Sequence, residues 1–167
     1  MLPPLLLTGG PAAGKSTTAQ QLAVTRPRAA VIDVDDIRQL IVSGHAAPWE
    51  GAAGAWQQRL GVQNACDVAR RFLGEGIEVV MADVLTTRTL QLYRSLLPRL
   101  LVVRLRLSLP EAQRRATLRP VHLTEREFEN LHATQAATDP LVEVVDVERM
   151  DFRDQVDTVM RIWMTSA

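Results

Sequence analysis

Cysteine is almost absent from this chain, and the single Cys66 cannot close an intramolecular disulfide, which excludes the stapled secreted scaffolds. Net charge is absent too. With 19 Lys and Arg against 19 Asp and Glu there is no global positive field to draw in nucleic acid or an anionic membrane, so a small ligand is the better expectation. No segment approaches the ~20 apolar residues of a membrane span, and the apolar opening from Leu2 to Leu7 is interrupted by Pro3 and Pro4. Nor does any segment combine the charged start, apolar run and small-residue cleavage site of a signal peptide. A cytoplasmic location is expected. At 167 residues the chain is expected to form one domain, 1–167, that needs neither disulfide nor structural metal.

What is present is an alternation of short apolar runs with longer amphipathic stretches, the pattern of a parallel sheet flanked by helices. Strands are expected at Leu5 to Thr8, Ala30 to Val34, Ile77 to Ala82, Leu100 to Leu107 and Val142 to Asp146. Helical spacing covers Lys15 to Thr25, Asp35 to Val42, Ala53 to Leu73, Arg88 to Leu96, Pro110 to Leu118, Glu125 to Ala137 and Phe152 to Met164. Sheets of this kind bind ligands at the carboxyl ends of their strands, so motifs that follow strands come first.

The strongest is Gly9-Gly10-Pro11-Ala12-Ala13-Gly14-Lys15-Ser16, the spacing Gly-x4-Gly-Lys-Ser between a predicted strand and a predicted helix. Gly9 and Gly14 permit positive backbone angles and close approach, so that successive N–H groups point at phosphate oxygens, and the helix starting at Lys15 adds its positive end. Lys15 can reach the outer phosphates of ATP and Ser16 is placed to ligate magnesium. Thr17, next on the helix, joins the nucleotide-binding set.

Asp33 and Asp35 alternate where the second strand leaves the sheet, so both can look towards the phosphates, Asp33 near the metal and Asp35 accepting a proton from an attacking hydroxyl. The competing reading makes Asp35 an N-cap. Arg38 follows on the acceptor side. Asp83, after the third strand, either holds magnesium or its water shell or caps the next helix. Arg114, Arg115 and Arg119 follow the fourth strand, with Arg115 and Arg119 on one helical face. Arg114 is expected at the nucleotide. Either Arg115 or Arg119 could neutralise charge on the transferred phosphoryl group from a lid hairpin around 109–123. The loop from Gly44 to Gly51 offers His45 and Trp49 as acceptor contacts, or else a hydrogen-bonded histidine and a buried tryptophan. His122 and His132 lack a ligand-like arrangement.

These residues together resemble the small P-loop kinases. The resemblance rests on the phosphate loop, the strand ending Asp33-Val34-Asp35 and the hairpin ending Arg119-Pro120; Val34-Asp35-Asp36-Ile37 and Ala82-Asp83-Val84 are similar to segments of the antibiotic-resistance members. It implies a three-layer α/β P-loop NTPase fold with a five-stranded parallel sheet in the order 2-3-1-4-5 and helices on both faces. It implies ATP and Mg2+ as cofactors, Asp35 as the base for a small-molecule hydroxyl, and the stretch from Asp146 to Asp151, with Val147, along the adenine. Neither nucleic acid nor membrane is expected as a partner, and the protein would be a monomer or homodimer. Two other classes compete. A nucleotide switch or hydrolase would use the loop from Gly44 to Gly51 to report nucleotide state; a polynucleotide kinase would show an excess of Lys and Arg.

Overall fold

A computed structural model describes residues 1–117, 123–136 and 142–166, with 134–136 by backbone alone. Five strands, β1 (Leu5–Thr8), β2 (Ala29–Asp33), β3 (Glu78–Ala82), β4 (Leu101–Arg106) and β5 (Glu143–Asp146), form one sheet in the order β2-β3-β1-β4-β5. Every neighbouring pair runs parallel, Leu5 lying opposite Val80 on one side and Leu101 on the other. The order expected from the resemblance is the order observed.

Helices α1 (Lys15–Val24), α2 (Val34–Gln39), α3 (Gly51–Gly74), α4 (Thr87–Leu96), α5 (Leu109–Ala116), α6 (Glu125–Ala136) and α7 (Phe152–Thr165) supply the crossovers and the two outer layers. Side chains on a strand alternate between faces, so the run of leucines in β1 feeds both. Leu5 and Leu7 enter one core with Ala19, Leu22, Ala112, Val156, Val159 and Trp163. Leu6 enters the other, with Val62, Ala65, Cys66, Ala69, Leu90 and Tyr93. Trp163, fully buried, donates its indole N–H to the Pro3 carbonyl at 2.7 Å, which ties α7 to the start of β1. Burial pushes the Cys66 thiol up to about 12, as expected for a cysteine that packs as a small apolar group.

Element boundaries depart from expectation at one instructive place. The second strand ends at Asp33 and α2 starts at Val34, because the Asp33 side chain accepts the Asp35 backbone N–H and turns the chain into a helix. Asp33 therefore caps α2, the role that the sequence offered for Asp35. At its other end α2 stops at Gln39, short of Val42; Leu40 and Val42 are 73% and 94% exposed, so a longer helix would have found nothing to bury them against.

Candidate active site

All five strands point their carboxyl ends at one edge. β1 delivers the loop from Gly9 to Gly14, β2 delivers Asp33, β3 leads into Asp83, and β5 leads into Val147. The loop folds back on itself through residues with positive φ, Gly9 at 142°, Ala12 at 58° and Gly14 at 85°. A Cβ at Gly9 would stand 2.4 Å from the Leu105 carbonyl oxygen, so the close passage of β4 requires glycine there. Ala12, a non-glycine residue in the left-handed region, was not foreseen.

Lys15 reaches over the loop and donates from Nζ to the carbonyls of Gly9 and Gly10, both at 3.0 Å. Its ammonium thus stands over the cradle that would hold outer phosphates. Ser16, exposed at the first turn of α1, donates its hydroxyl to Asp33 Oδ2 at 2.6 Å. Two hard oxygen donors from different strand ends meet there, a fit for magnesium that is completed by phosphate and water oxygens. Among the described residues no cluster of three or more His, Cys, Asp or Glu is built to hold a metal alone.

Asp35 stands in the first turn of α2 with its side chain 65% exposed and faces Arg38, whose Nη1 lies 2.9 Å from Asp35 Oδ1. The same guanidinium grips Asp83 with two bonds, of 2.8 and 3.0 Å. Asp83 also accepts from the Tyr93 hydroxyl at 2.7 Å and from the Val84 N–H at 2.7 Å, and its side chain is wholly buried. Both carboxylate oxygens are thereby occupied, and direct metal ligation by Asp83 would require breaking one of these bonds. Burial works against both charges and pushes the Asp83 carboxyl up. For Arg38 the neighbouring carboxylates outweigh burial and raise the guanidinium above its ordinary value. A Cβ at Gly61 of α3 would lie 3.0 Å from Arg38 Cγ, so a glycine makes room for this arginine.

A cavity of about 420 Å³ lies beside the loop, with Ala12, Gly14, Thr17, Arg114, Met150 and Phe152 among its lining residues. The structure thus brings four of the nucleotide candidates to one place and adds Met150 and Phe152, apolar side chains suited to a purine face. Arg115 lines the same cavity; it donates to the Val147 carbonyl at 2.7 Å and to Glu111 at 2.7 Å. The bonds from Arg114 and from Arg115 hold the Glu111 carboxyl down at about 2. Arg119 and His122 lie outside the described residues.

A second cavity, of about 530 Å³, opens beside Trp49, Pro48, Val84 and Leu131. Its walls adjoin in sequence one residue of the buried ion pair and one residue packed on the phosphate loop. Val84 follows Asp83, and Leu131 precedes His132, whose ring packs on Gly10: a Cβ there would lie 3.0 Å from His132 Nδ1. Burial and the nearby Arg104 keep the His132 imidazole below its ordinary value. Trp49 is half exposed and not buried, and His45 is exposed on the same loop without lining this cavity.

Two buried glutamines were missed by sequence reasoning. Gln155 on α7 donates to the Ala13 carbonyl at 3.2 Å and to the Thr18 hydroxyl at 2.8 Å, bracing the loop from behind. Gln57 on α3 accepts from Ala46 N–H at 2.9 Å and donates to the Gly44 carbonyl at 2.6 Å, fixing the loop that carries Trp49. A polar residue on the apolar face of a helix was the available signal.

No family model and no curated protein matches the sequence. Solved structures do match over nearly the whole chain. An unliganded sugar kinase from Janibacter sp. HTCC2649 has a TM-score of 0.75 at 14% identity, with 100% of this chain and 96% of that one covered. Shikimate kinase from Acinetobacter baumannii, in complex with shikimate, has a TM-score of 0.67 at 22% identity, with 99% and 94% covered. Thymidylate kinase from Candida albicans has a TM-score of 0.69 at 18% identity, with 98% and 92% covered. At such identities the likeness is one of fold. What this chain shares with these kinases is the three-layer P-loop kinase fold, a parallel sheet in the order β2-β3-β1-β4-β5 with helices on both faces.

Proposed function

We propose that the protein is an ATP-dependent, magnesium-requiring phosphotransferase that phosphorylates a hydroxyl of a small molecule. The observation that carries this reading is the meeting of Ser16 and Asp33 at 2.6 Å beneath a phosphate loop. An exposed carboxylate, Asp35, stands two residues on, and a separate cavity opens beside Trp49 and Val84, the residue after Asp83. A hydrolase or switch would need the phosphate site; the added cavity favours an acceptor. The kinases of like fold support the same class. An antibiotic hydroxyl is one such acceptor, supported by the resemblance of the segments around Asp35 and Asp83 to the resistance members. The reading includes a cytoplasmic monomer or homodimer with neither nucleic acid nor membrane as partner. Among the described residues no helix is long and apolar enough to cross a membrane.

In the reaction the acceptor oxygen attacks the γ-phosphorus. A new O–P bond forms as the bond from the γ-phosphorus to the bridging oxygen breaks and its electron pair leaves with ADP. Asp35 takes the proton of the acceptor hydroxyl. Lys15 and the loop N–H groups stabilise charge on the β and γ phosphates, and Ser16 with Asp33 would hold the metal. Magnesium, when held there, would supply neutralisation of the phosphate charge. Arg114 and Arg115 line the cavity offered to the nucleotide, Val147 holding Arg115 through its carbonyl; Arg115 or Arg119 would neutralise charge on the transferred group, and the segment around 109–123, which carries Arg119, would act as the lid that excludes water. Incubating the protein with magnesium, labelled ATP and a panel of hydroxylated metabolites and antibiotics should yield one phosphorylated product by mass. A panel that gives only ADP and inorganic phosphate would favour the hydrolase reading.

A further inference from the structure

Resting on that reading, we propose that His132 is a positioning residue of the nucleotide site, which holds the phosphate loop in place through Gly10 and so seats Lys15. Helix α6 comes directly against the loop. A Cβ at Gly10 would lie 3.0 Å from His132 Nδ1, 3.6 Å from its Cα and 3.7 Å from its Cγ, so the backbone of α6 as well as the ring meets this position. Phe128, one turn earlier on the same helical face, is buried in one core with Leu105, Ala112 and Val147 and anchors the helix there. Distant segments thus close on the loop at each glycine. Gly9 meets the Leu105 carbonyl of β4, Gly10 meets His132 of α6, and Gly14 meets Gln155 of α7, whose Nε2 would lie 3.0 Å from a Cβ there.

Gly10 differs from the other two glycines in what it requires. Gly9 and Gly14 have positive φ and Gly10 does not, so its backbone admits a side chain and the space for one is taken by His132. The ring has little to gain for the fold by lying there. Its Nδ1 is buried and meets no hydrogen-bond partner among the described residues, a destabilising arrangement that an apolar side chain would avoid and that calls for a role in the site. That role runs through Lys15. The ammonium donates to the carbonyls of Gly9 and Gly10, both at 3.0 Å, so the place of the Gly10 backbone sets where the charge stands over the phosphate cradle. With the ring behind it, Gly10 is held in the arrangement that receives phosphate; without the ring, that arrangement has to be ordered on binding.

Isothermal titration calorimetry of MgATP into the full chain, below its melting range, tests this without knowledge of the acceptor. His132→Ala should bind MgATP about tenfold more weakly than wild type, because the loop behind Gly10 is no longer held. Gly10→Ala, whose methyl group would press on the ring, should weaken binding to a similar degree. In the double variant that methyl group fills the space the ring leaves, so Gly10→Ala with His132→Ala should bind about threefold or more tightly than Gly10→Ala alone, a coupling that a histidine serving only the fold would not produce. An unchanged MgATP affinity in folded His132→Ala would overturn the proposal, as would additive losses in the double variant. Should His132→Ala not fold, an unchanged affinity in Gly10→Ala overturns it equally. Wild-type protein that fails to bind MgATP would sink the kinase reading and this proposal together, whereas wild-type binding beside an indifferent His132→Ala would sink this proposal alone.

Discussion

The buried set of Arg38, Asp83 and Tyr93 makes the sharpest energetic prediction. Arg38→Met removes the guanidinium that bonds both oxygens of a carboxylate with no exposed surface, leaving Asp83 to Tyr93 and one backbone N–H. Stranding one partner of a buried ion pair costs about 3–5 kcal/mol. For a chain of this length each kcal/mol lowers Tm by roughly 2–4 °C, so a fall of roughly 6–20 °C is expected. Arg38→Met with Asp83→Leu removes both charges and should be more stable than Arg38→Met alone, since apolar replacement of a whole buried pair is often neutral. Tyr93→Phe, which takes away one hydrogen bond to the same carboxylate, should cost about 1.5–3 kcal/mol. Differential scanning calorimetry of the four proteins reads these values. Should Arg38→Met melt within about 2 °C of the wild type, the pair is not the buried support described here. One further variant decides the role of Asp83. Below its melting range Asp83→Asn should bind ATP and magnesium within about threefold of wild type; a loss of tenfold or more would place Asp83 on the metal.

Other predictions follow from single residues. Asp35→Asn should lower kcat by about 10²–10⁴ with ATP affinity and stability nearly unchanged, because Asp33 and not Asp35 caps α2; steady-state kinetics on the acceptor found by mass would refute the base if the rate were retained. Arg26 lies 2.6 Å from Glu78, and this bond holds the carboxyl below its ordinary value of 4.5. That stabilisation is present above 4.5 and is lost as pH falls through the lower folded value, so urea titrations should show Arg26→Met destabilised at pH 7 and equal to wild type at the acid end. Cys66, buried with its thiol pushed up to about 12, should stay unreactive to Ellman's reagent at about pH 8 until the chain is unfolded; prompt reaction of the native protein would contradict that burial.

The order of elements and the phosphate loop could be read from the sequence, because both rest on local signals. Apolar runs of strand length alternate with helical periodicity, and the glycines at 9 and 14 stand where backbone angles admit little else. The meeting of Ser16 with Asp33 was legible in part, since both lie at the carboxyl edge of the sheet, although β3 separates the strands β1 and β2 that lead to them. Other features were decided only when distant segments packed together. Whether Asp83 faces a metal or the core depends on Arg38, 45 residues earlier, and on Tyr93 from the next helix. Asp33 and Asp35 exchanged the capping role because the strand ended one residue sooner than its alternation suggested. Gln155 braces the loop across 142 residues; its place on an apolar helix face marks it as a buried polar group, but its partner is set by packing. The local code names the groups that can do chemistry; long-range packing and burial decide which of them remain free to do it.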